Sequence, residues 1–315
     1  MERISFPSNI PILTLIGPTA IGKTELSIKL AKKFDMEIIS VDSMQVYRHM
    51  DIGTAKISRE EMAGIPHHLI DVVSPDQNFD AVTFEQQALD AIRDISARGR
   101  RVLLTGGTGL YLKSLLEGLS HKIPKFPEIR KEIQKKLATS GRHVLHDELM
   151  LIDCDSAKRI HVNDTHRLVR ALEIYKGTGK AWSQFLEEHK QSRELRFTKI
   201  LTIGLTCDRQ LLYERIELRS NIMMANGFEQ EVKDLLKRGY GVQHKSMRSI
   251  GYSHMTKYLA GEWDTKEMLT KLTRDTRRYA KRQYTWFGKI KDIEWVEKTD
   301  VARIPGMVDA FFHTT

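Results

Sequence analysis

A glycine-rich segment near the N-terminus has the residue types and spacing that bind phosphate. Residues 17–24 read GPTAIGKT and fit the pattern G-x4-G-K-[ST]. Glycine lets a backbone wrap around an anion, and the N–H groups of such a loop point at phosphate oxygens. Lys23 adds a positive charge, and the Thr24 hydroxyl can hold Mg2+. The segment predicts a P-loop, which consists of Gly17, Pro18, Thr19, Ala20, Ile21, Gly22, Lys23 and Thr24. The motif does not specify which phosphate compound binds.

Asp42 directly follows an apolar segment, residues 36–41, that has the composition of a buried strand. The carboxyl ends of strands in an open parallel sheet line the ligand crevice, which would place Asp42 near the P-loop. A carboxylate there can act as a general base or hold Mg2+ through water, but aspartate also commonly caps a turn or helix. Position alone leaves these roles open. Gln45 could hydrogen-bond a purine edge, although an exposed glutamine is the commoner explanation.

Two further segments carry polar side chains. Residues 106–111, GGTGLY, end a strand candidate and begin a helix, so we expect the Thr108 hydroxyl at the same crevice. His67 and His68 suggest a pair of metal ligands. Adjacent residues on an extended segment point to opposite sides, so we expect no joint metal ligation by this pair.

These motifs lie in an alternation of strands and helices. Strands are predicted at 11–16, 36–42, within 65–76, at 101–107 and at 199–206, with helices after the P-loop, at 81–98 and at 108–119. The alternation predicts an α/β fold, a P-loop NTPase-like parallel sheet flanked by helices. Amphipathic helical patterns over 127–187 predict an all-helical insertion domain at 121–195, inside a core domain of 1–120 and 196–315. After the last strand we expect only long helices.

The charge balance suggests an acidic partner. The net charge is +9, and residues 271–291 hold eight Lys or Arg against one acid, Asp275. Five of these cations fall on one helical stripe, Arg274, Arg277, Arg278, Lys281 and Arg282. Like charges on one stripe repel each other unless an anion lies there, so we favour a phosphate-backbone contact over a solvated helix face.

The composition also excludes some classes of protein. Two cysteines, Cys154 and Cys207, form neither a disulfide framework nor a metal-ligand spacing. No apolar run approaches the roughly 18 residues of a membrane span, and the N-terminal residues lack the pattern of a secretory signal. We therefore expect a cytoplasmic protein.

The order of the motifs resembles the tRNA dimethylallyltransferase family. The P-loop is followed by DSMQVY, DIGTAK, PHHLID and GGTGLYLKSLLEG, then by HVNDTHRLVRALEIY, LYERIELRSNIMMANGFEQEV, SMRSIGY and RRYAKRQYTW. The similarity spans residues 11–290. It implies transfer of a dimethylallyl group from dimethylallyl diphosphate to N6 of the adenosine immediately 3′ of the tRNA anticodon, with Mg2+ as cofactor.

The resemblance also implies roles for individual residues. The P-loop, with Lys23 and Thr24, would hold the diphosphate and Mg2+, and Arg219 would add a second cation. Asp42 would accept a proton from the adenine amine. The flipped-out base would be held by Thr108 together with Asp42, Ser43, Met44 and Gln45.

Positions that contact tRNA in the family correspond to two groups here. The first group is Arg130, His166, Arg167, Leu168, Val169 and Arg170. The second group is Met247, Arg248, Ser249, Ile250, Gly251 and Tyr252. The basic helix would add Arg277, Arg278, Lys281 and Arg282. The chain carries Ile21 where the family usually has serine, and we expect little effect because that loop acts through its backbone. It has no Cys/His cluster after residue 290, so we expect a bacterial-type enzyme. We also expect a monomer.

Three other functions compete with this one. A P-loop kinase of a small metabolite explains the P-loop and the sheet but not the basic helix or the insertion. An adenylate isopentenyltransferase, which uses a free nucleotide, shares the core but needs no long basic helix. A non-catalytic nucleic-acid-binding module would not need Asp42 beside a phosphate loop.

Overall fold

A computed structural model describes residues 9–118, 123–191 and 196–313 of the chain. The chain divides into two compact units. The larger contains Met1–Leu116 and Arg196–Thr315, and the smaller contains Glu117–Leu195. Among the described residues, no helix is long and apolar enough to cross a membrane.

The larger unit is built on a six-stranded sheet in which every strand pair is parallel. The strands are β1 (Ile12–Ile16), β2 (Met36–Val41), β3 (His67–His68), β4 (Arg101–Gly106), β5 (Ile200–Thr206) and β6 (Ile293–Glu297). Their order across the sheet is β3-β2-β4-β1-β5-β6. The α/β parallel-sheet prediction is confirmed, and the apolar runs of β1, β2 and β4 are buried as their composition requires.

The register of the central strands brings three predicted motifs to one edge. Ile16 at the end of β1 and Val41 at the end of β2 both pair with Gly106 at the end of β4. The P-loop, Asp42 and Thr108 follow these strand ends directly. Parallel strands that end in register deliver the residues after them to one crevice.

The helices of the larger unit lie between and after its strands in the sequence. They are α1 (Lys23–Phe34), α2 (Ala81–Ala97), α3 (Gly109–Glu117), α8 (Arg209–Ala225), α9 (Phe228–Lys237), α10 (Tyr252–Leu259), α11 (Thr265–Phe287) and α12 (Ile304–His313), together with 3-10 turns at Ser246–Arg248 and Lys298–Arg303. Apolar residues of α1, α8, α11 and α12 pack with those of the sheet in one core. Each fully buried leucine or isoleucine contributes about 1.5–3 kcal/mol to that core.

The prediction that only helices follow β5 is wrong, because β6 forms after α11 and pairs with β5. Its sequence, IEWVE, contains two acidic residues among three apolar ones, and the strand lies at the edge of the sheet. An edge strand lacks the continuous apolar run by which buried strands are recognised. Gly204 of β5 leaves room for Trp295 and Ile293, since a Cβ at Gly204 would lie 2.7 Å from the Trp295 ring.

The described residues of the smaller unit form helices joined by short loops, and they contain no strand. It contains α4 (Pro127–Ile152), α5 (Cys154–Arg159), α6 (Thr165–Thr178) and α7 (Trp182–Gln191). Gly141, with φ 80° and ψ 172°, interrupts α4. The apolar side chains of α4 and α6 form a separate core that includes Leu145, Leu149 and Leu168. Asp153 caps α5 by accepting the N–H of Ser156.

Candidate active site

The P-loop adopts the backbone geometry that its sequence predicts. Gly17 and Gly22 have φ angles of 152° and 104°, and Ala20 also has a positive φ of 66°. A Cβ at Gly17 would lie 2.9 Å from the carbonyl oxygen of Leu205. No side chain in the described residues caps the start of α1 at Gly22, so the first N–H groups of the helix are left for an anion.

Three cations hold the carbonyl oxygens of the P-loop. Lys23 Nζ donates to Gly17 O at 2.9 Å and to Pro18 O at 2.8 Å. Arg215 Nε donates to Ala20 O at 2.7 Å, and Lys298 Nζ donates to Ile21 O at 3.1 Å. Cations bound to these carbonyl oxygens also give the loop a positive environment for a phosphate group.

Burial and charge change the acidity of Lys23. Desolvation by burial, with a smaller contribution from nearby Arg219, lowers the pKa of Lys23 to about 7, although Asp42 opposes the shift. Desolvation also lowers the pKa of Arg219, against the attraction of Asp42. A bound anion would reverse the cost of both charges, because it favours the protonated forms.

Thr19, in the middle of the P-loop, is held by two side chains from distant elements. Arg219 Nη1 of α8 donates to Thr19 Oγ1 at 2.9 Å. Gln283 Oε1 of α11 accepts the backbone N–H of Thr19 at 2.9 Å, and Gln283 Nε2 donates to Gly107 O at 2.9 Å. Gln283 therefore joins the P-loop to the turn that carries Thr108.

Asp42 caps the turn after β2 and also faces open space. Its Oδ1 accepts the N–H groups of Met44 at 2.8 Å and Gln45 at 3.2 Å. The same side chain lines two cavities of the larger unit. Capping and a role in chemistry are compatible in Asp42. The turn uses Oδ1, and the carboxylate has a second oxygen.

Thr108 binds the backbone of the Asp42 turn. Its Oγ1 accepts the N–H of Ser43 at 3.0 Å. The side chains of Thr108 and Tyr279 of α11 form a hydrogen bond. Burial, and then the charge of Asp42, raise the pKa of Tyr279 to about 12. Tyr279 therefore stays a neutral hydrogen-bonding group at physiological pH.

The two cavities are neighbours that share part of their lining. The first, of about 360 Å³, contains the P-loop residues Lys23 and Thr24. The second, of about 350 Å³, contains Arg248 and Arg282. The residues that line both cavities are Thr19, Asp42, Thr54, Arg219 and Tyr279. Asp42 thus lies where two ligands that occupy separate cavities would meet.

The first cavity also has an apolar side. Its apolar lining residues are Ala20, Ile38, Ala55, Ile57, Ile70, Leu218 and Ile222. Of these, Leu218 and Ile222 of α8 are exposed, and they lie on the same helix as Arg215 and Arg219. The cavity therefore offers cations to an anionic group and aliphatic side chains to an apolar group.

The two histidines of the pair contact different partners. His67 Nδ1 lies 2.8 Å from Ile65 O, and His67 lines the first cavity. His68 Nε2 lies 2.7 Å from Glu37. The described residues contain no group of three or more His, Cys, Asp or Glu side chains that could hold a metal ion by themselves.

The predicted tRNA-contacting residues of the larger unit divide by burial. Arg248, Ser249, Ile250, Gly251 and Tyr252 line the second cavity. Met247 and Tyr252 are fully buried, and the Tyr252 hydroxyl donates to Glu231. We therefore assign the side chains of Met247 and Tyr252 to the support of this segment.

The basic stripe of α11 is less free of acids than its own sequence indicates. Asp275 forms ion pairs with Arg274 and Arg278, and Arg277 forms one with Glu217 of α8. The acid opposite Arg277 comes from another helix, which a local charge count misses. Arg282 lines the second cavity, next to Thr276 and Tyr279 of the same helix.

The predicted residues of the smaller unit also include paired cations. Arg130 and Arg170 both form ion pairs with Glu173, a fully buried carboxylate, and Arg167 pairs with Asp164. Leu168 and Val169 are buried in the core of this unit, so we assign their side chains to packing. His166 is exposed.

Four residues of the site were missed in the sequence: Arg215, Tyr279, Gln283 and Lys298. Arg215 precedes Arg219 by one helical turn, so its spacing was a usable signal. Tyr279 and Gln283 likewise lie one turn apart, on the side of α11 away from the basic stripe. Lys298 follows the unpredicted strand β6 and carries no local signal.

A P-loop at the end of a central parallel strand, with a carboxylate and cations around the same cavity, defines a P-loop protein that acts on a phosphate compound. Comparison with known proteins narrows the class. Residues 45–290 match the family model of IPP transferase, so the chain belongs to the IPP transferase family.

Named relatives and solved structures agree with this membership. The chain is 53% identical to the tRNA dimethylallyltransferase of Desulfotalea psychrophila, over 96% of the chain and 95% of that protein. It is 38% identical to the tRNA isopentenylpyrophosphate transferase of Bacillus halodurans, whose structure matches with a TM-score of 0.70 over 96% of each chain. A eukaryotic dimethylallyltransferase acting on tRNA matches with a TM-score of 0.82 at 30% identity, over 96% of this chain and 80% of its own.

Proposed function

We propose that this protein is a tRNA dimethylallyltransferase. It transfers a dimethylallyl group from dimethylallyl diphosphate to N6 of the adenosine immediately 3′ of the tRNA anticodon and releases diphosphate. The observation that carries the proposal is the position of Asp42, which lines both the P-loop cavity and the second cavity. Two substrates bound in these cavities would meet beside a proton acceptor.

The chemistry requires one bond to form and one to break. The adenine N6 attacks the allylic carbon of the dimethylallyl group, the carbon–oxygen bond to diphosphate breaks, and the diphosphate leaves with the bonding electrons. Asp42 takes the proton that N6 loses. Lys23 and Arg219 stabilise the charge that develops on the leaving oxygens, because both cations lie at the P-loop cavity.

Both ends of the donor substrate match the first cavity. Its diphosphate would bind backbone N–H groups of the P-loop after Thr19 and at the start of α1. Its five-carbon apolar group would lie against aliphatic residues such as Ile57, Leu218 and Ile222. A kinase substrate would need no such apolar wall beside the P-loop.

Mg2+ fits this site as a partner of the diphosphate. Thr24 is exposed at the cavity, and Asp42 lies on its wall. Mg2+ usually takes one or two oxygens from the protein and the rest from phosphate and water, so the lack of a carboxylate cluster in the described residues agrees with this arrangement. When bound there by Thr24, the ion would neutralise diphosphate charge.

The acceptor base must leave its stack to reach the allylic carbon. The second cavity, lined by Ser43, Met44, Arg248 and Arg282, is the place we propose for the flipped adenosine and its phosphates. Thr108 and Gln45 would help to hold the base. Arg130, His166, Arg167 and Arg170 of the smaller unit would contact the anticodon arm, together with Lys281 of α11.

The test is a transfer assay with dimethylallyl diphosphate, Mg2+ and unmodified tRNA, followed by mass spectrometry of the digested nucleosides. We expect a dimethylallyl mass increment on one adenosine. The same tRNA with guanosine 3′ of the anticodon is the matched control and should stay unmodified. Modification of free AMP but not of tRNA would overturn the proposal in favour of a free-nucleotide enzyme, and ATP hydrolysis without prenyl transfer would favour a kinase.

A further inference from the structure

Glu231 of α9 accepts four hydrogen bonds from two separate parts of the chain. Its Oε2 accepts the backbone N–H groups of Asp51 at 2.9 Å and Ile52 at 2.7 Å. Its Oε1 accepts the N–H of Gly53 at 3.1 Å and the hydroxyl of Tyr252 at 2.6 Å. Three consecutive backbone N–H groups therefore converge on one carboxylate.

The segment that Glu231 holds, residues 51–54, forms part of the wall of the second cavity. Gly53 and Thr54 line that cavity, and Thr54 also lines the P-loop cavity. The carbonyl oxygen of Thr54 accepts a hydrogen bond from Arg219 Nη2 at 3.4 Å. The position of this segment therefore affects the position of Arg219, the cation that we place beside the leaving group.

Close packing leaves the segment little freedom. A Cβ at Gly53 would lie 2.4 Å from the Phe228 ring and 2.5 Å from the Tyr252 ring. These two rings pack edge to face, with centroids 5.3 Å apart. Residues 51–53 lie outside the sheet, so their N–H groups have no strand partner and depend on the carboxylate of Glu231.

A carboxylate suits this position better than an amide. All four groups are donors, and an ionised carboxylate only accepts hydrogen bonds, in up to about four directions. A glutamine would turn one of the two oxygens into an NH2 group facing donors. Hydrogen bonds to a charged acceptor are roughly twice as strong as neutral ones, so the change would loosen the segment.

We propose that Glu231 is a positioning residue for prenyl transfer. It fixes residues 51–54 against Tyr252 and, through the Thr54 carbonyl, supports the placement of Arg219 between the two cavities. Glu231 acts through these groups and does not touch either substrate. The inference rests on the proposed function. It adds a residue that positions other groups of the site.

The test compares Glu231→Gln with wild-type protein in the tRNA transfer assay. We expect kcat to fall by about tenfold to a hundredfold, the cost typical of shifting a supported catalytic group by a fraction of an ångström to an ångström. The KM for dimethylallyl diphosphate should change by less than about threefold, since the phosphate-binding backbone and Lys23 are untouched. Glu231→Asp, which keeps the charge but shortens the reach, should recover part of kcat.

Glu229→Gln is the matched control. Glu229 lies on the same helix, and its carboxylate pairs with Lys233 at the surface. This variant should transfer at the wild-type rate. Equal kcat values for Glu231→Gln and wild type would overturn the inference while leaving the proposed function intact. A wild-type protein that transfers nothing to tRNA would overturn the proposed function and the inference with it.

Tyr252→Phe is a second variant that tests the inference even if Glu231→Gln does not fold. It removes one of the four donors and keeps the buried ring. We expect a fall in kcat of about threefold to tenfold, smaller than for Glu231→Gln because three of the four hydrogen bonds remain, with an unchanged circular dichroism spectrum. An unfolded Glu231→Gln together with a Tyr252→Phe variant of wild-type kcat would show a purely structural role and overturn the inference.

Discussion

Gln283 accepts the backbone N–H of Thr19 at 2.9 Å, although 264 residues separate them in the chain. Its other amide atom donates to Gly107 O, and a Cβ at Gly107 would lie 2.2 Å from that nitrogen. The P-loop and the turn before Thr108 are therefore held together through one buried side chain of α11.

Replacing Gln283 by leucine leaves Thr19 N–H and Gly107 O without their partner. Each unsatisfied buried group costs about 1–3 kcal/mol, so we expect a lower free energy of unfolding in urea titrations. We also expect weaker binding of inorganic pyrophosphate, measured by calorimetry, because the P-loop loses a fixed point. A variant that unfolds at a lower urea concentration but binds pyrophosphate like the wild type would show that Gln283 contributes only to stability.

Asp42→Asn separates the two roles of this residue. Asparagine keeps the side-chain oxygen that accepts the N–H groups of Met44 and Gln45, so we expect the turn and the fold to survive. It cannot accept the N6 proton, so kcat for transfer should fall by about 10²–10⁴-fold. Binding of pyrophosphate should be retained or tightened, because a negative charge leaves the cavity. Transfer at the wild-type rate would refute the assignment of Asp42 as the base.

The affinity for diphosphate should depend on pH through Lys23. Its pKa is about 7 in the protein without ligand, and a bound anion raises the pKa by favouring the charged form. The contribution of Lys23 is thus complete below pH 7 and declines by up to about tenfold per pH unit above it, until the pKa of the bound form is passed.

Lys23→Met provides the comparison, because diphosphate itself also titrates. We expect calorimetric titrations from pH 6 to 9 to show a shallower decline of affinity for the variant. Parallel pH profiles for wild type and Lys23→Met would contradict the depressed pKa of Lys23.

The basic helix should contribute unevenly to tRNA binding. Arg278 is paired with Asp275, whereas Arg282 lines the second cavity. We expect Arg282→Gln and Lys281→Gln each to reduce the slope of log K against log salt concentration by about one, as for one phosphate contact. Arg278→Gln is the matched control and should change the slope less. Equal slopes for all three variants and wild type would remove α11 from the tRNA interface.

The sequence by itself was sufficient to predict the fold class and the placement of the P-loop, Asp42 and Thr108 at one edge of the sheet. The P-loop pattern between a strand and a helix predicts a phosphate site because its signal is local: residues 17–24 carry their own glycines and lysine. Asp42 and Thr108 could be placed at the same crevice because parallel strands end in register. The burial of β1, β2 and β4 follows from their apolar composition.

Tertiary structure decided which distant side chains complete that site. Gln283, Arg215 and Lys298 reach the P-loop from 264, 195 and 277 residues away, and no local spacing encodes such a contact. The edge strand β6 forms because β5 offers an unpaired edge, although two of the five residues of β6 are acidic. Pairing of Arg277 with Glu217 likewise depends on which helices pack together. Local sequence specifies backbone conformation and polarity, whereas the partner of each buried polar group is chosen by packing.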